Sequence, residues 1–202
     1  TGVIVKACLK LTEKKNHELK VAQFDDLKEL LNTTKKLKQK SSISMIEYID
    51  KQISEWLGLG AKYHLIIETE ISGVENTEKN NKIYSLRDKI YPLLAEKGYT
   101  KIEDPQVILD RILPILQNLE LKKIPTFGHL SVGIIHPCFM PEQEIEIPDL
   151  MKSVKRFSGK ISGEHGIGLT KRRYLQGGDK RILINVKKRT DPKNKFNRGK
   201  RI

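Results

Sequence analysis

The stretch Gly128-His129-Leu130-Ser131-Val132-Gly133-Ile134-Ile135-His136-Pro137 places two histidines seven residues apart. On one continuous strand, residues i and i+7 point to opposite faces of a sheet, so the two histidines converge only if the chain turns between them. Ser131-Val132-Gly133 is the place for that turn, because glycine tolerates the backbone angles that tight turns require. We therefore predict two strands, over roughly residues 123–130 and 133–139, that pair as a hairpin.

The segments around this hairpin alternate between strand patterns and helix patterns. Strand patterns cover residues 3–11, 18–24, 43–48 and 63–71. Helix patterns cover residues 25–40, a short segment ending at 57, 75–97 with a kink or split at Pro92, 105–119 with an interruption at Pro114, 147–157, 168–176 and 179–189. This order predicts an α+β fold, in which an antiparallel sheet has helices packed on one side and a helical segment ends the chain.

A second motif, Ser162-Gly163-Glu164-His165-Gly166-Ile167-Gly168, sets a carboxylate beside an imidazole between glycines. Glycines let the backbone approach a ligand closely, and adjacent Glu and His can serve as metal ligand and proton acceptor at one site. If Glu164 reaches the two histidines of the hairpin, the three residues supply N, N and O ligands for a catalytic divalent site with open positions. The alternative is a Gly-rich turn that carries two polar residues without a function.

Each histidine also has a structural interpretation. We expect His64 to be a strand histidine with satisfied hydrogen bonds, and His17, in a polar run, to lie at the surface.

Composition bounds the classes of function. The chain has 202 residues, 38% of them hydrophobic and 31% charged, with a net charge of +13. Two cysteines without a CxxC pair argue against a disulfide framework or a cysteine-only zinc site and suit a cytoplasmic protein. No apolar run is long enough to span a membrane, and no signal peptide is visible. The basic run from Lys187 to Ile202 is typical of a polyanion-binding tail or of a solvated chain end, and no nucleic-acid recognition motif accompanies it.

The two motifs occur in a fixed order with a third, Asp191-Pro192 followed by Asn197-Arg198-Gly199-Lys200. Together they resemble the patterns GHxGDGNxH, SxxEHGIG and DPxxxxNPGK of flavin-linked 2-hydroxyacid dehydrogenases. This group of the vanillyl-alcohol oxidase superfamily includes D-lactate dehydrogenases, the glycolate oxidase flavin subunit and D-2-hydroxyglutarate dehydrogenases. The resemblance implies that residues 1–15 end a flavin-binding domain, residues 16–160 form a ferredoxin-like substrate or cap domain, and residues 161–202 form a helical segment that returns to the flavin domain.

The resemblance also implies roles for single residues. The ligands of a divalent metal such as Zn, Mn or Fe would be His129, His136 and Glu164, and the catalytic base would be His165. The substrate-binding cations would be Arg87 and Lys101, and the positions beside FAD would be Gly2, Ile4 and Asn197. The implied reaction is oxidation of a small anionic 2-hydroxy acid, of the D-lactate or glycolate type, to the 2-oxo acid with hydride transfer to FAD.

The chain also departs from the family pattern. Ser131-Val132-Gly133-Ile134 stands where the family has Gly-Asp-Gly-Asn, and Cys138 replaces an Asn, so we expect polar groups that orient the metal ligands to be missing. No Gly-rich dinucleotide fingerprint is present. We therefore expect a flavin-binding domain in the same polypeptide or in a separate subunit, and an inactive isolated chain. The alternative is a non-catalytic subunit or assembly module that keeps the fold.

Overall fold

The computed structural model describes residues 3–175 and 177–199. Six strands form one sheet in the order β1-β3-β2-β5-β6-β4, and all neighbouring strands are antiparallel. The strands are β1 (Asn16–Phe24), β2 (Ile43–Ile49), β3 (Tyr63–Ile71), β4 (Lys101–Ile102), β5 (Thr126–His129) and β6 (Ile134–Phe139). The helices are α1 (Leu27–Lys38), α2 (Lys51–Trp56), α3 (Thr77–Asp88), α4 (Ile90–Glu96), α5 (Leu109–Leu121), α6 (Ile147–Arg156) and α7 (Gly177–Thr190).

The predicted α+β class and antiparallel sheet are confirmed. β1 and β2 both run antiparallel to β3, which lies between them, and α1 connects them. This is the split β-α-β arrangement of ferredoxin-like sheets. α1 begins where predicted, because the Asp26 side chain accepts hydrogen bonds from the amides of Lys28 and Glu29 at the helix N-terminus.

Helices cover both faces of the sheet, so the expectation of one covered side is wrong. Leu65 and Ile67 of β3 belong to the core shared with α1, α5 and α6, whereas Ile66 packs with Ile90 and Leu94 of α4. Neighbouring residues of a strand face opposite sides, so an apolar run such as this one has to be buried on both.

The predicted strand over residues 3–11 is not formed. Residues 3–15 have no regular secondary structure, and Val5 and Leu11 are 92% and 86% exposed. A strand is stabilised by hydrogen bonds to a neighbouring strand, and no strand of the described residues pairs with this segment.

The helix predictions hold for the split at Pro92 and need correction at three other points. The long helix does split before Pro92, into α3 and α4. α5 begins at Leu109 rather than Pro105, because Gln106 bridges Ile134 and Lys160 in extended conformation. Pro114 lies inside α5 without interrupting it. Its missing N–H would have bonded the carbonyl of Asp110, and Asp110 lies in the exposed first turn of the helix. The helix over 168–176 is only a 3-10 turn at Arg172–Tyr174.

The hairpin itself forms as predicted. Thr126 to His129 pair with Ile134 to Pro137, and Gly133 has φ +73° in the turn. A Cβ at this position would lie 2.2 Å from the carbonyl oxygen of Val107, so the turn requires glycine. Phe127 lies directly opposite His136 in the register, so the two side chains are on the same face of the sheet. His129, two residues further along β5, is on that face too, because side chains alternate along a strand.

Candidate active site at the β5–β6 hairpin

The structure brings the three predicted metal ligands together. His136 Nε2 lies 2.8 Å from Glu164 Oε1, and His129 Nε2 lies 3.6 Å from the same oxygen. One ligand atom from each residue falls within 4.8 Å of the others. Two nitrogens and one carboxylate oxygen are a donor set that binds Zn, Mn or Fe and leaves positions open for a substrate.

His136 has the electronic state that a metal ligand needs. Its side chain is buried, and neither ring nitrogen makes a hydrogen bond of normal geometry within the described residues. Burial lowers the pKa of His136 to about 4, against the opposing charge of Glu164, so the imidazole is neutral at physiological pH. A neutral imidazole nitrogen 2.8 Å from a carboxylate oxygen, outside normal hydrogen-bond geometry, fits a cation shared by the two residues.

His129 differs from His136 because it has a carboxylate partner. Its Nδ1 lies 2.7 Å from Oε2 of Glu47, which stands directly opposite it on β2. The hydrogen bond to Glu47 raises the pKa of His129 above its usual value, although burial opposes this. Glu47 was not predicted as a site residue. Because it contacts His129, the expectation that polar groups orienting the predicted ligands are missing is wrong for His129. Its signal in the sequence is a single acid among the apolar residues of a strand.

His165 lies beside the ligand cluster as its more accessible imidazole. Its ring stacks on that of His136 with the centroids 5.3 Å apart, and its Nε2 lies 3.5 Å from Glu164 Oε1. The side chain is 44% exposed. This placement leaves a proton acceptor next to the open side of the cluster.

A buried carboxylate, Asp104, holds the loop that carries Glu164 and His165. Its Oδ2 accepts hydrogen bonds from the backbone amides of both residues, each at 2.7 Å, and from the hydroxyl of Ser162 at 2.9 Å. The Lys171 ammonium pairs with its other oxygen. Burial would raise the pKa of Asp104, but Lys171 and the two amides lower it below the ordinary value. The only trace of Asp104 in the sequence is the acid pair before Pro105, and the prediction missed it.

The two basic residues predicted to bind the substrate, Arg87 and Lys101, have different surroundings. Arg87, on α3, lies 3.5 Å through Nε from Glu47 Oε1 and lines a cavity of about 280 Å³ together with Tyr91, Phe127 and His129. Lys101, on β4, has its described ion pair with Glu103, at 3.4 Å. Arg87 therefore lines the cavity beside His129, one of the predicted metal ligands. Lys101 instead pairs with Glu103, the residue before Asp104.

The two predicted flavin-contacting positions that the structure describes, Ile4 and Asn197, are exposed. Ile4 is 88% exposed in the segment without regular structure, and Asn197 is exposed in a turn with φ +49°. Gly2 lies outside the described residues. The turn is held by Asp191, which accepts hydrogen bonds from the amides of Lys195 and Phe196. The role of these positions beside FAD stays a prediction.

A larger and more basic cavity, of about 770 Å³, lies between the 3-10 turn and α7. Its charged lining consists of Arg172, Arg173, Lys180, Lys187, Lys188 and Asp191. It contains no pair of imidazole and carboxylate groups, so we place the chemistry at the hairpin. In the described part of the chain, no helix combines the length and the apolar character that a bilayer crossing needs.

Comparisons with known proteins show the family of this chain. Residues 59–201 match the family model of FAD linked oxidases, C-terminal domain. The chain is similar to a mitochondrial D-2-hydroxyglutarate dehydrogenase of Danio rerio, with 25% identity over 135 residues, covering 59% of this chain and 25% of that protein. The chain thus matches about a quarter of the length of this relative. With the motif residues converging in space and the family model covering most of its length, the chain belongs to the FAD linked oxidases, through their C-terminal domain.

Proposed function

We propose that the chain is the substrate-binding cap portion of a flavin-dependent dehydrogenase that oxidises a small 2-hydroxy acid to the 2-oxo acid. Glycolate and D-lactate are the substrates of the type that we expect. The observation that carries the proposal is the convergence of His129, His136 and Glu164, with His165 stacked alongside. A purely structural role does not explain His136, because it is buried and its ring nitrogens make no hydrogen bond of normal geometry within the described residues.

Each residue then has a role in holding the substrate. His129, His136 and Glu164 would hold a divalent ion, which supplies Lewis acidity that lowers the pKa of the substrate hydroxyl. The guanidinium of Arg87 binds the substrate carboxylate from the adjoining cavity. His165 accepts the hydroxyl proton, since its ring is accessible and adjoins the open side of the ligand cluster.

FAD, when bound by the flavin domain, would supply the redox chemistry as the acceptor of the hydride from the substrate carbon. We propose that a flavin-binding domain, in the same polypeptide or in a partner subunit, covers this site. In that arrangement residues 1–15 end the flavin domain, residues 16–160 form the cap and residues 161–202 return to the flavin domain. A cytoplasmic location is part of the proposal; the name of the relative from Danio rerio places that protein in mitochondria.

Binding of matched acids to the isolated chain tests this function. We expect the chain, loaded with Zn²⁺ or Mn²⁺, to bind D-lactate at least about tenfold more tightly than propionate, because only lactate has the 2-hydroxyl group. The Arg87→Gln variant is expected to weaken the binding of both acids, and titration calorimetry measures all four affinities. Equal binding of lactate and propionate would contradict the proposal. The chain mixed with FAD, D-lactate and a redox dye is expected to show no turnover, and robust turnover would contradict the need for a flavin domain.

The two other functions make different predictions. A non-catalytic assembly module would bind neither metal nor hydroxy acid at the hairpin. A polyanion-binding protein would use the basic cavity beside α7, and its affinity for DNA would fall steeply with salt. We favour the dehydrogenase because neither alternative accounts for the convergence of His136 and Glu164.

A further inference from the structure

Glu47 is a buried acid in an otherwise apolar strand. Its side chain is 6% exposed, and its neighbours on β2 are Ile46, Tyr48 and Ile49. Removing a carboxylate from water destabilises the folded chain unless partners compensate its charge. Such a residue therefore needs a reason in its contacts.

Both oxygens of Glu47 are used, and both face site residues. Oε2 lies 2.7 Å from Nδ1 of His129, and Oε1 lies 3.5 Å from Nε of Arg87. The sheet register supports the first contact, since Glu47 and His129 are direct partners on neighbouring antiparallel strands. The carboxylate of Glu47 thus contacts both His129, a predicted metal ligand, and Arg87, a residue predicted to bind the substrate.

The contact determines which nitrogen of His129 carries the proton. A carboxylate only accepts hydrogen bonds, so Nδ1 must be the N–H donor. The lone pair of the neutral ring is then on Nε2, the nitrogen that lies 3.6 Å from Glu164 Oε1. Histidines that ligate metals commonly donate their other N–H to a carboxylate, and this sets their tautomer and orientation.

We propose that Glu47 is a positioning residue that holds His129 in the Nδ1–H tautomer, with Nε2 free to bind a metal, while its second oxygen holds Arg87 beside the same site. The metal-binding consequence rests on the proposed function. The tautomer is a property of the chain alone and is measurable without metal.

Glu68 provides a matched control on the neighbouring strand β3. It is also largely buried, but its partners are the Ser44 hydroxyl at 2.6 Å, the Tyr84 hydroxyl and His17 at 3.9 Å. None of these residues belongs to the ligand cluster. The Glu68→Gln variant therefore removes a buried carboxylate without touching His129.

The experiment measures the tautomer and the metal affinity of the same proteins. Nitrogen-15 spectra of the metal-free chain, at a pH where the imidazoles are neutral, are expected to show His129 as the Nδ1–H tautomer. In Glu47→Gln the tautomers are expected to mix, and the affinity for Zn²⁺ is expected to fall about 10- to 100-fold. In Glu68→Gln both properties are expected to match the wild type, and thermal melting confirms that each variant is folded.

The outcomes separate this proposal from the proposed function. A wild-type His129 in the Nε2–H tautomer would overturn the role of Glu47 even if no variant folds. An unchanged tautomer and an unchanged Zn²⁺ affinity in Glu47→Gln would overturn it as well. A wild-type chain that binds no divalent metal would overturn the proposed metal site, while the tautomer measurement still decides the role of Glu47.

Discussion

Two buried strand histidines of this chain have opposite surroundings. His64, at the start of β3, is 3% exposed, and its Nδ1 lies 2.9 Å from the Ser54 hydroxyl and 3.1 Å from the Lys62 carbonyl. His136, on β6, is fully buried and makes no hydrogen bond of normal geometry within the described residues.

Hydrogen bonding distinguishes the structural histidine from the proposed metal ligand. Folding satisfies the polar atoms of a structural residue, because a buried unpaired group costs about 1–3 kcal/mol. His136 instead has a nitrogen 2.8 Å from Glu164 and imidazole neighbours on two sides, at 5.1 Å and 5.3 Å between ring centroids. The predicted satisfied role of His64 is confirmed, whereas the ring nitrogens of His136 have no such hydrogen-bond partners within the described residues.

The largest expected effect comes from replacing each of the two histidines, His136 and His64, with alanine. His136→Ala removes a proposed metal ligand. The affinity of the variant for Zn²⁺ is therefore expected to fall by more than about 100-fold, which exceeds the loss typical when a residue that only orients a ligand is changed. His64→Ala is expected to keep the affinity and to lose about 1–3 kcal/mol of unfolding free energy, because the Ser54 hydroxyl is left unpaired. Metal content after dialysis and urea unfolding measure the two effects. A His64→Ala variant that loses the metal would abolish the distinction.

The second effect concerns the support of the site. Asp104→Asn removes a carboxylate that pairs with Lys171 and accepts hydrogen bonds from the amides of Glu164 and His165. Lys171 keeps its ion pair with Glu103, at 2.9 Å, so we expect a loss of about 1–3 kcal/mol of unfolding free energy. Faster hydrogen exchange at these two amides is expected as well. The control is Asp110→Asn, since the carboxylate of Asp110 is 74% exposed and pairs with Lys35 at the surface, and no measurable loss is expected there. Unchanged amide exchange in Asp104→Asn would show that the loop does not depend on this carboxylate.

The smallest effect is a pH dependence that sharpens the role of His64. Burial lowers the pKa of His64, against the Lys62 carbonyl, which raises it. Below about pH 6.5 the unfolded chain binds a proton at this residue that the folded chain does not bind, so His64 contributes a loss of stability as the pH falls. His64→Gln is expected to remove that component of the unfolding free energy between about pH 8 and pH 5, and His17→Gln serves as the control on a partly exposed histidine. Identical pH profiles for wild type and His64→Gln would be evidence against the buried neutral state.

The order of motifs along the chain was sufficient to predict the site residues that the structure brings together. His129, Glu164 and His165 each stand next to a glycine, and a hairpin with a required Gly133 brings His129 and His136 to one face of the sheet. Glu47 and Asp104 escaped prediction because their partners are distant. The Glu47–His129 bond joins residues 82 positions apart, and the bond from the Glu164 amide to Asp104 joins residues 60 apart.

The strand predicted over residues 3–11 illustrates the opposite failure. Its alternation is real, but a strand depends on a partner for its backbone hydrogen bonds, and the described residues offer none. The covering of both sheet faces likewise depends on which helices return to which side, as the separate packing of Leu65 and Ile66 demonstrates.

Local patterns along the chain therefore establish the α+β class, the hairpin, the glycine turn and the residue types that can bind a metal, because these depend on backbone angles and side-chain chemistry. Packing alone assigns the state of each titratable group. His129 has a carboxylate partner and a raised pKa, while His136 is buried with a lowered one. Two identical side chains thus acquire different protonation behaviour, because burial and charged neighbours, which arise only on folding, set the free energy of a proton.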